Sequence, residues 1–144
     1  MSARRQLTLA AIDAYNEWDI AKIMAFRAPE CTHVMLPKSA GLPTKNNAEY
    51  EAGFQPNLFR NFNITVNDII EDDKANKVVL LAQSSADTDA GPYENEYVLI
   101  LEFNEAGDKV TRFIEFFDSA GARDLAAKLT APPKDGGEGL KKNG

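Results

Sequence analysis

The stretch from residue 93 to residue 118 constrains the fold of this chain more than any other. It reads as two strands, 93–103 and 109–118, joined by the turn Asn104-Glu105-Ala106-Gly107-Asp108. Side chains on a strand alternate between faces. Glu102 and Arg112 suit a solvated face, which assigns Tyr93, Asn95, Tyr97, Leu99 and Leu101 to the opposite one. That row sets two phenols and an amide above an apolar floor. On the return strand Glu115 stands among Phe113, Ile114, Phe116 and Phe117. Burying a carboxylate among aromatic rings is costly unless it is paired or takes part in chemistry. A carboxylate, two phenols and apolar walls are the groups that proton transfer on an apolar small molecule requires.

The rest of the composition narrows the class. A chain of 144 residues is expected to form one domain. Its net charge of −6 argues against nucleic acid and anionic membranes as partners. One cysteine, Cys31, excludes an internal disulfide, and one histidine, His33, is too few for an ordinary His/Cys metal site. No metal and no cofactor is therefore expected. The N-terminal residues lack the apolar run of a signal peptide, and no stretch approaches the roughly 20 apolar residues of a membrane span. The expectation is a soluble, cytoplasmic protein.

Along the chain, Leu7, Ala10, Ala11, Ala14, Tyr15 and Trp18 have helical spacing and predict a helix over about 3–17. Asp19 is placed to cap a short second helix that Pro29 closes. Residues 32–36 read as a short strand, and 38–45, with Gly41 and Pro43, as a loop. Asn46 or Asn47 caps a third helix through Tyr50 and Phe54. Long strands follow over 63–71 and 77–87, before the strand pair already described. Asp118-Ser119 caps a last helix, and the Pro- and Gly-rich residues 131–144 read as a disordered tail. Helices followed by an antiparallel meander predict an α+β fold: a curved antiparallel sheet wrapped by N-terminal helices into a cone with an internal pocket.

Several segments together carry a family resemblance. They are Arg27-Ala28-Pro29-Glu30-Cys31-Thr32-His33, Leu36-Pro37, Ser84-Ser85-Ala86-Asp87-Thr88, Tyr93-Glu94-Asn95-Glu96-Tyr97 and Phe113-Ile114-Glu115-Phe116-Phe117-Asp118-Ser119. In this order they resemble the nuclear-transport-factor-2-like superfamily in its SnoaL-like, polyketide-cyclase-like branch. Within it they look like the small fungal enzymes that rearrange polyketide, meroterpenoid or alkaloid intermediates. The resemblance implies one domain over 1–130 and an acid or base at Glu115 on the last strand. The superfamily also includes epoxide hydrolases with an aspartate-arginine-aspartate arrangement. By strand order Gln83 and Ser85 stand at the first two of those places, which argues against epoxide hydrolysis and leaves both as candidate substrate contacts. Ketosteroid isomerase shares the fold and uses carboxyl groups in an apolar pocket.

Each candidate has a functional and a structural reading. Glu115 is the expected general acid or base, with a solvent-facing carboxylate or a salt bridge to Arg112 as the alternative. Tyr97 and Tyr93 can donate hydrogen bonds to a carbonyl oxygen that gains charge, although tyrosines are common on half-buried strands. Asn95, between them, can orient a carbonyl. Arg27 can reach over the pocket mouth to hold an oxyanion, or can serve as a cation at a helix C-terminus. His33 can shuttle a proton, or be a satisfied structural residue. Tyr50 and Phe54 are candidate contacts for an apolar substrate, while Tyr15, Trp18, Phe59 and Phe62 read as core that partly lines any cavity. Cys31 has no activating neighbour.

The function expected is a cofactor-independent isomerase or cyclase acting on a hydrophobic polyketide-, terpenoid- or alkaloid-derived intermediate. A non-catalytic ligand-binding or dimeric interaction module, and a hydrolase or dehydratase using Glu115 with His33, are the alternatives. Val98, Ile100, Ile114 and Phe116 make the second face of the sheet apolar as well, which predicts a homodimer.

Overall fold

The computed structural model describes residues 2–130. The tail expected at 131–144 lies outside the described residues. The chain begins with α1 (Ala3–Glu17), whose apolar face buries Ala11, Ile12, Ala14 and Tyr15. Ser2 caps it by accepting from the Arg5 amide at 3.0 Å. The helix ends at Trp18, held at φ 50 in the left-handed region that a bulky residue rarely adopts. That turn starts α2 (Ile20–Ala25), capped by Asp19 as its sequence predicts.

The strands are β1 (Arg27–Leu36), β2 (Lys45–Asn46), β3 (Arg60–Asp72), β4 (Lys77–Thr88), β5 (Gly91–Phe103) and β6 (Val110–Phe117). A single 3₁₀ turn (Lys38–Ala40) lies between β1 and β2, α3 (Asn47–Ala52) follows β2, and α4 (Ser119–Thr130) follows β6. In α3 the Asn46 side chain accepts from the Glu49 amide at 2.8 Å, and the Glu49 carboxylate accepts from the Asn46 amide at 2.9 Å. This reciprocal cap is what allows so short a helix to form.

All six strands form one sheet in the order β2-β1-β6-β5-β4-β3. The α+β class, the curved sheet and the wrapping helices match the sequence reading. The all-antiparallel pairing does not: β1 runs parallel to β6, so the sheet is mixed. A parallel pair needs a long connection between its strands, and everything from α3 through β5 supplies it. Strand β1 also begins earlier than its apolar run suggests. Arg27 pairs with Val110 and Thr32 with Arg112, so residues 28–31 bulge out of register. Pro29 falls inside that bulge, where its missing N–H leaves no gap in the ladder. Register shifts also break the β3–β4 ladder between Val66 and Asp68, adding twist and bend to the sheet.

The helices cover one face of the curve. Val78, Leu80, Leu99, Leu101, Phe103, Val110 and Phe113 pack there against Ala11, Ile12, Tyr15 and Ile23. Asn16 fixes α1 to the edge strand by accepting from the Ile64 amide at 2.6 Å. On the other face, Arg112 reaches Glu102 at 3.2 Å, as the parity argument predicts for a solvated row. Leu80 is fully buried at the centre of the core. Leu80→Ala is expected to destabilise the protein by about 2–5 kcal/mol in urea unfolding, with an unchanged denaturant slope.

Candidate active site

An apolar cavity of about 260 Å³ lies between the helices and the inner face of the sheet. Its walls come from Tyr15, Trp18, Tyr50, Phe59, Phe62 and Phe113, with Met35, Ile64 and Leu99 between them. Trp18 is aimed there by the left-handed turn after α1, and it packs on Phe54, Phe59 and Phe62 at 4.9–5.0 Å between ring centroids. Its indole N–H donates to the Gln55 carbonyl at 3.1 Å.

Into this apolar box the sheet introduces one carboxylate. Glu115 pairs across β6 with Leu99 on one side and Met35 on the other, which places it on the cavity face. Its Oε1 lies 3.1 Å from His33 Nε2. On the far side of the imidazole, Nδ1 lies 3.1 Å from the Arg27 guanidinium. Arginine has no acceptor and stays protonated, so Nδ1 must accept. The imidazole proton therefore sits on Nε2 and is donated to Glu115. Burial pushes the His33 pKa below its ordinary value, against the opposing pull of Glu115, and the charges of Arg27 and Lys45 push it further down. His33 is a neutral bridge between a buried cation and a carboxylate. Glu115 Oε2 has no hydrogen-bond partner among the described residues.

Arg27 is buried behind this bridge rather than over the cavity mouth, a correction to the sequence reading. The same terminal nitrogen that meets His33 also donates to the Tyr15 hydroxyl at 2.7 Å. The guanidinium lies over the Tyr50 ring at 4.1 Å, and Arg27 Nε donates to the Ile23 carbonyl at 3.4 Å. The bulge at the start of β1 turns this side chain inward. Tyr15 accepts from Arg27 and shares a second hydrogen bond with the Tyr50 hydroxyl at 2.8 Å, in which either oxygen can donate. The polar chain thus runs from Arg27 by two routes, through His33 to Glu115 and through Tyr15 to Tyr50. Burial holds the Tyr15 and Tyr50 phenols above their ordinary pKa. Burial first, and the Glu115 charge second, do the same for Tyr97, whose hydroxyl lies 2.8 Å from Ser84 Oγ. These phenols stay protonated, so they can donate hydrogen bonds and do not serve as bases.

The structure brings together Glu115, His33, Tyr97 and Tyr50 at the cavity and places Arg27 directly behind them. The other candidates lie elsewhere or one layer back. Tyr93 has the inward parity expected, but its ring stacks on Phe59 at 5.5 Å and its hydroxyl accepts from Asn95. Asn95 also accepts from the Glu96 and Asp118 amides at 2.8 and 3.1 Å, so it ties the first half of β5 to the residue before α4. Phe54 packs on Trp18 and is not among the lining residues. Gln83 and Ser85 pair with Glu96 and Glu94 on the outer face, opposite in parity to Tyr97. Assigning them to the cavity by strand order is corrected by this register, because a shift of one residue moves a side chain to the other face.

No family model matches the chain. Individual relatives do. The chain is 33% identical over 120 residues to the monooxygenase nsrQ of Aspergillus novofumigatus, covering 82% of this chain and 80% of that protein. It is 36% identical over 130 residues to the austinoid biosynthesis clusters protein H of Emericella nidulans, covering 86% of this chain and 75% of that protein. The crystal structure of the BvnE pinacolase from Penicillium brevicompactum superposes with a TM-score of 0.82 at 30% identity, over 89% of this chain and 96% of that one. The chain belongs to this family of fungal biosynthesis proteins. Its architecture is the NTF2-like fold, shared with an NTF2-like protein from Burkholderia pseudomallei at 21% identity and a TM-score of 0.74, over 91% of this chain and 100% of that one.

Sequence reasoning missed two parts of this candidate site. Tyr15 reads as core from its helical spacing, and its link to Arg27 and Tyr50 depends on long-range packing. Lys45 reads as loop, yet it pairs with His33 across β1 and β2 and lines the cavity.

The imidazole arrangement is directly testable, because the chain has a single histidine. Nitrogen NMR is expected to show a neutral His33 ring protonated on Nε2, titrating below the ordinary value of about 6.5. Arg27→Met is expected to release that tautomer preference. Folding lowers this pKa, so unfolding free energy is expected to be full above the unfolded value. It then declines as pH falls through that value, and levels off below the folded one.

Proposed function

We propose that the protein is a tailoring enzyme that isomerises a hydrophobic biosynthetic intermediate by acid–base catalysis, with Glu115 moving the proton. The observation that carries this reading is the Glu115 carboxylate in an aromatic cavity, held on one oxygen by neutral His33 and open on the other. In such surroundings a carboxylate can accept a proton from a substrate hydroxyl beside a carbonyl group. Tyr97 and Tyr50 line the same cavity, and either hydroxyl can donate to that carbonyl oxygen as charge develops on it. Electrons from the broken O–H bond form a new carbonyl, and a carbon substituent shifts to the neighbouring carbon. The former carbonyl oxygen becomes an alkoxide and takes the proton back from Glu115. Atoms and charge balance without a co-reactant, and the product is an isomer. The aromatic walls hold the substrate in one reactive shape and keep water away from the intermediate. The pinacolase name of BvnE supports a skeletal shift, while the monooxygenase name of nsrQ supports oxygen insertion. The arrangement of donors around one proton acceptor favours the first.

With the pathway intermediate as substrate, Glu115→Gln is expected to lower kcat about 10²–10⁴-fold with little change in KM. The product is expected to have the substrate's mass. Full turnover by the variant, or label from heavy oxygen gas in the product, would overturn the isomerase reading. Label from heavy water would favour a hydrolase. Unconverted ligand would favour a binding module.

The second copy predicted from the sequence is proposed to cover the outer face of the sheet. Phe116 and Leu81 are 48% and 41% exposed there, beside Val98 and Ile100 on neighbouring strands. Sedimentation at micromolar concentration is expected to give a dimer, and Phe116→Glu a monomer that retains its helical and strand signal.

A further inference from the structure

The cavity carries a charge that the proton-transfer chemistry does not use. Lys45 lies on β2 directly opposite His33, and facing residues of an antiparallel pair share a face of the sheet. With Leu42 and Pro43 it forms the rim of the cavity, where Leu42 is 48% exposed. The Lys45 ammonium makes no hydrogen bond and no ion pair among the described residues. The side chains of Arg5, Lys38, Lys74, Arg123 and Lys128 likewise make no hydrogen bond or ion pair among the described residues, but none of them lines this cavity. Arg27 is engaged by Tyr15, His33 and the Tyr50 ring, while Arg4, Lys22, Arg60, Lys77 and Arg112 reach carboxylates.

A second observation concerns the space around this ammonium. Gly53, after α3, has φ −87 and ψ −3, a conformation open to any residue. Its backbone therefore does not require glycine. A Cβ at that position would lie 2.8 Å from Lys45 Nζ. The missing side chain is the space that the lysine head occupies. The charges around the cavity do not cancel either. Arg27 and Lys45 are positive, Glu115 is negative and His33 is neutral, which leaves an excess positive charge beside an apolar box. An uncompensated charge at the mouth of an apolar cavity favours a ligand of opposite sign.

We infer that Lys45 is a specificity-determining residue, and that the ligand of this cavity is a hydrophobic monoanion whose carboxylate, enolate or phenolate oxygen meets the Lys45 ammonium. This rests on the cavity's being the substrate site and names the substrate class. The apolar body of the ligand fills the aromatic box, and its acidic oxygen stays at the rim. That pose keeps the anion away from Glu115, which would repel it.

The test is calorimetric titration of the full-length protein with naphthoate and with its uncharged methyl ester. The acid is expected to bind about tenfold more tightly than the ester, a preference that weakens as salt is added. Lys45→Met is expected to abolish the preference and leave ester binding unchanged, while Lys45→Arg keeps it. Gly53→Ala, which displaces the ammonium without disturbing the backbone conformation, is expected to reduce it. Equal binding of acid and ester, failure of naphthoate to bind, or a preference that survives Lys45→Met would overturn the inference. Thermal melts of each variant show that the fold is intact. The titration reads charge recognition without turnover, so it fails independently of the role assigned to Glu115. Glu115→Gln is expected to retain or strengthen the preference for the acid.

Discussion

Arg27 is the constraint on which the site depends. A buried guanidinium cannot lose its proton, so the fold has to surround it with acceptors and ring faces. It does so with the Tyr15 hydroxyl, His33 Nδ1, the Ile23 carbonyl and the Tyr50 ring. Each partner comes from a different element: α1, β1, α2 and α3. Meeting the needs of one cation therefore locks the helices against the sheet. It also fixes which nitrogen of His33 holds the proton, and so how Glu115 is held.

The chemistry follows from this packing. A carboxylate between a neutral imidazole and an aromatic cavity has one oxygen anchored and one open. Phenols pushed upward by burial can donate but cannot take protons at ordinary pH. In the proposed reaction these roles are separated: Glu115 accepts and returns a proton, and the tyrosines receive negative charge through their O–H groups.

Much of this is legible in the order of the residues. Alternation along β5 and β6 puts Tyr97 and Glu115 on one face and Glu102 with Arg112 on the other. Asp19 and Asn46 announce their helices through capping chemistry. The expectations that fail do so for identifiable reasons. Strand order assigns Gln83 and Ser85 to the cavity, but only the register of β4 against β5 decides the face of a given residue. The parallel pairing of β1 with β6 leaves no local signature, because parallel partners lie far apart in sequence. Tyr93 and Asn95 have the correct parity, but Phe59 and the start of α4 cover that end of the sheet.

The sequence by itself determined the α+β class, the helix caps, the two faces of the strand pair and the presence of a carboxylate among aromatic residues. These are local properties, set by periodicity and by backbone hydrogen bonding within a few residues. The tertiary structure decided that Arg27 points inward, that it joins Tyr15 to His33, and that Lys45 stands across from the imidazole. Those contacts connect residues on separate elements through a bulge and a parallel pairing. Neither has a local sequence signal, since each is stabilised by packing that exists only after the helices close over the sheet.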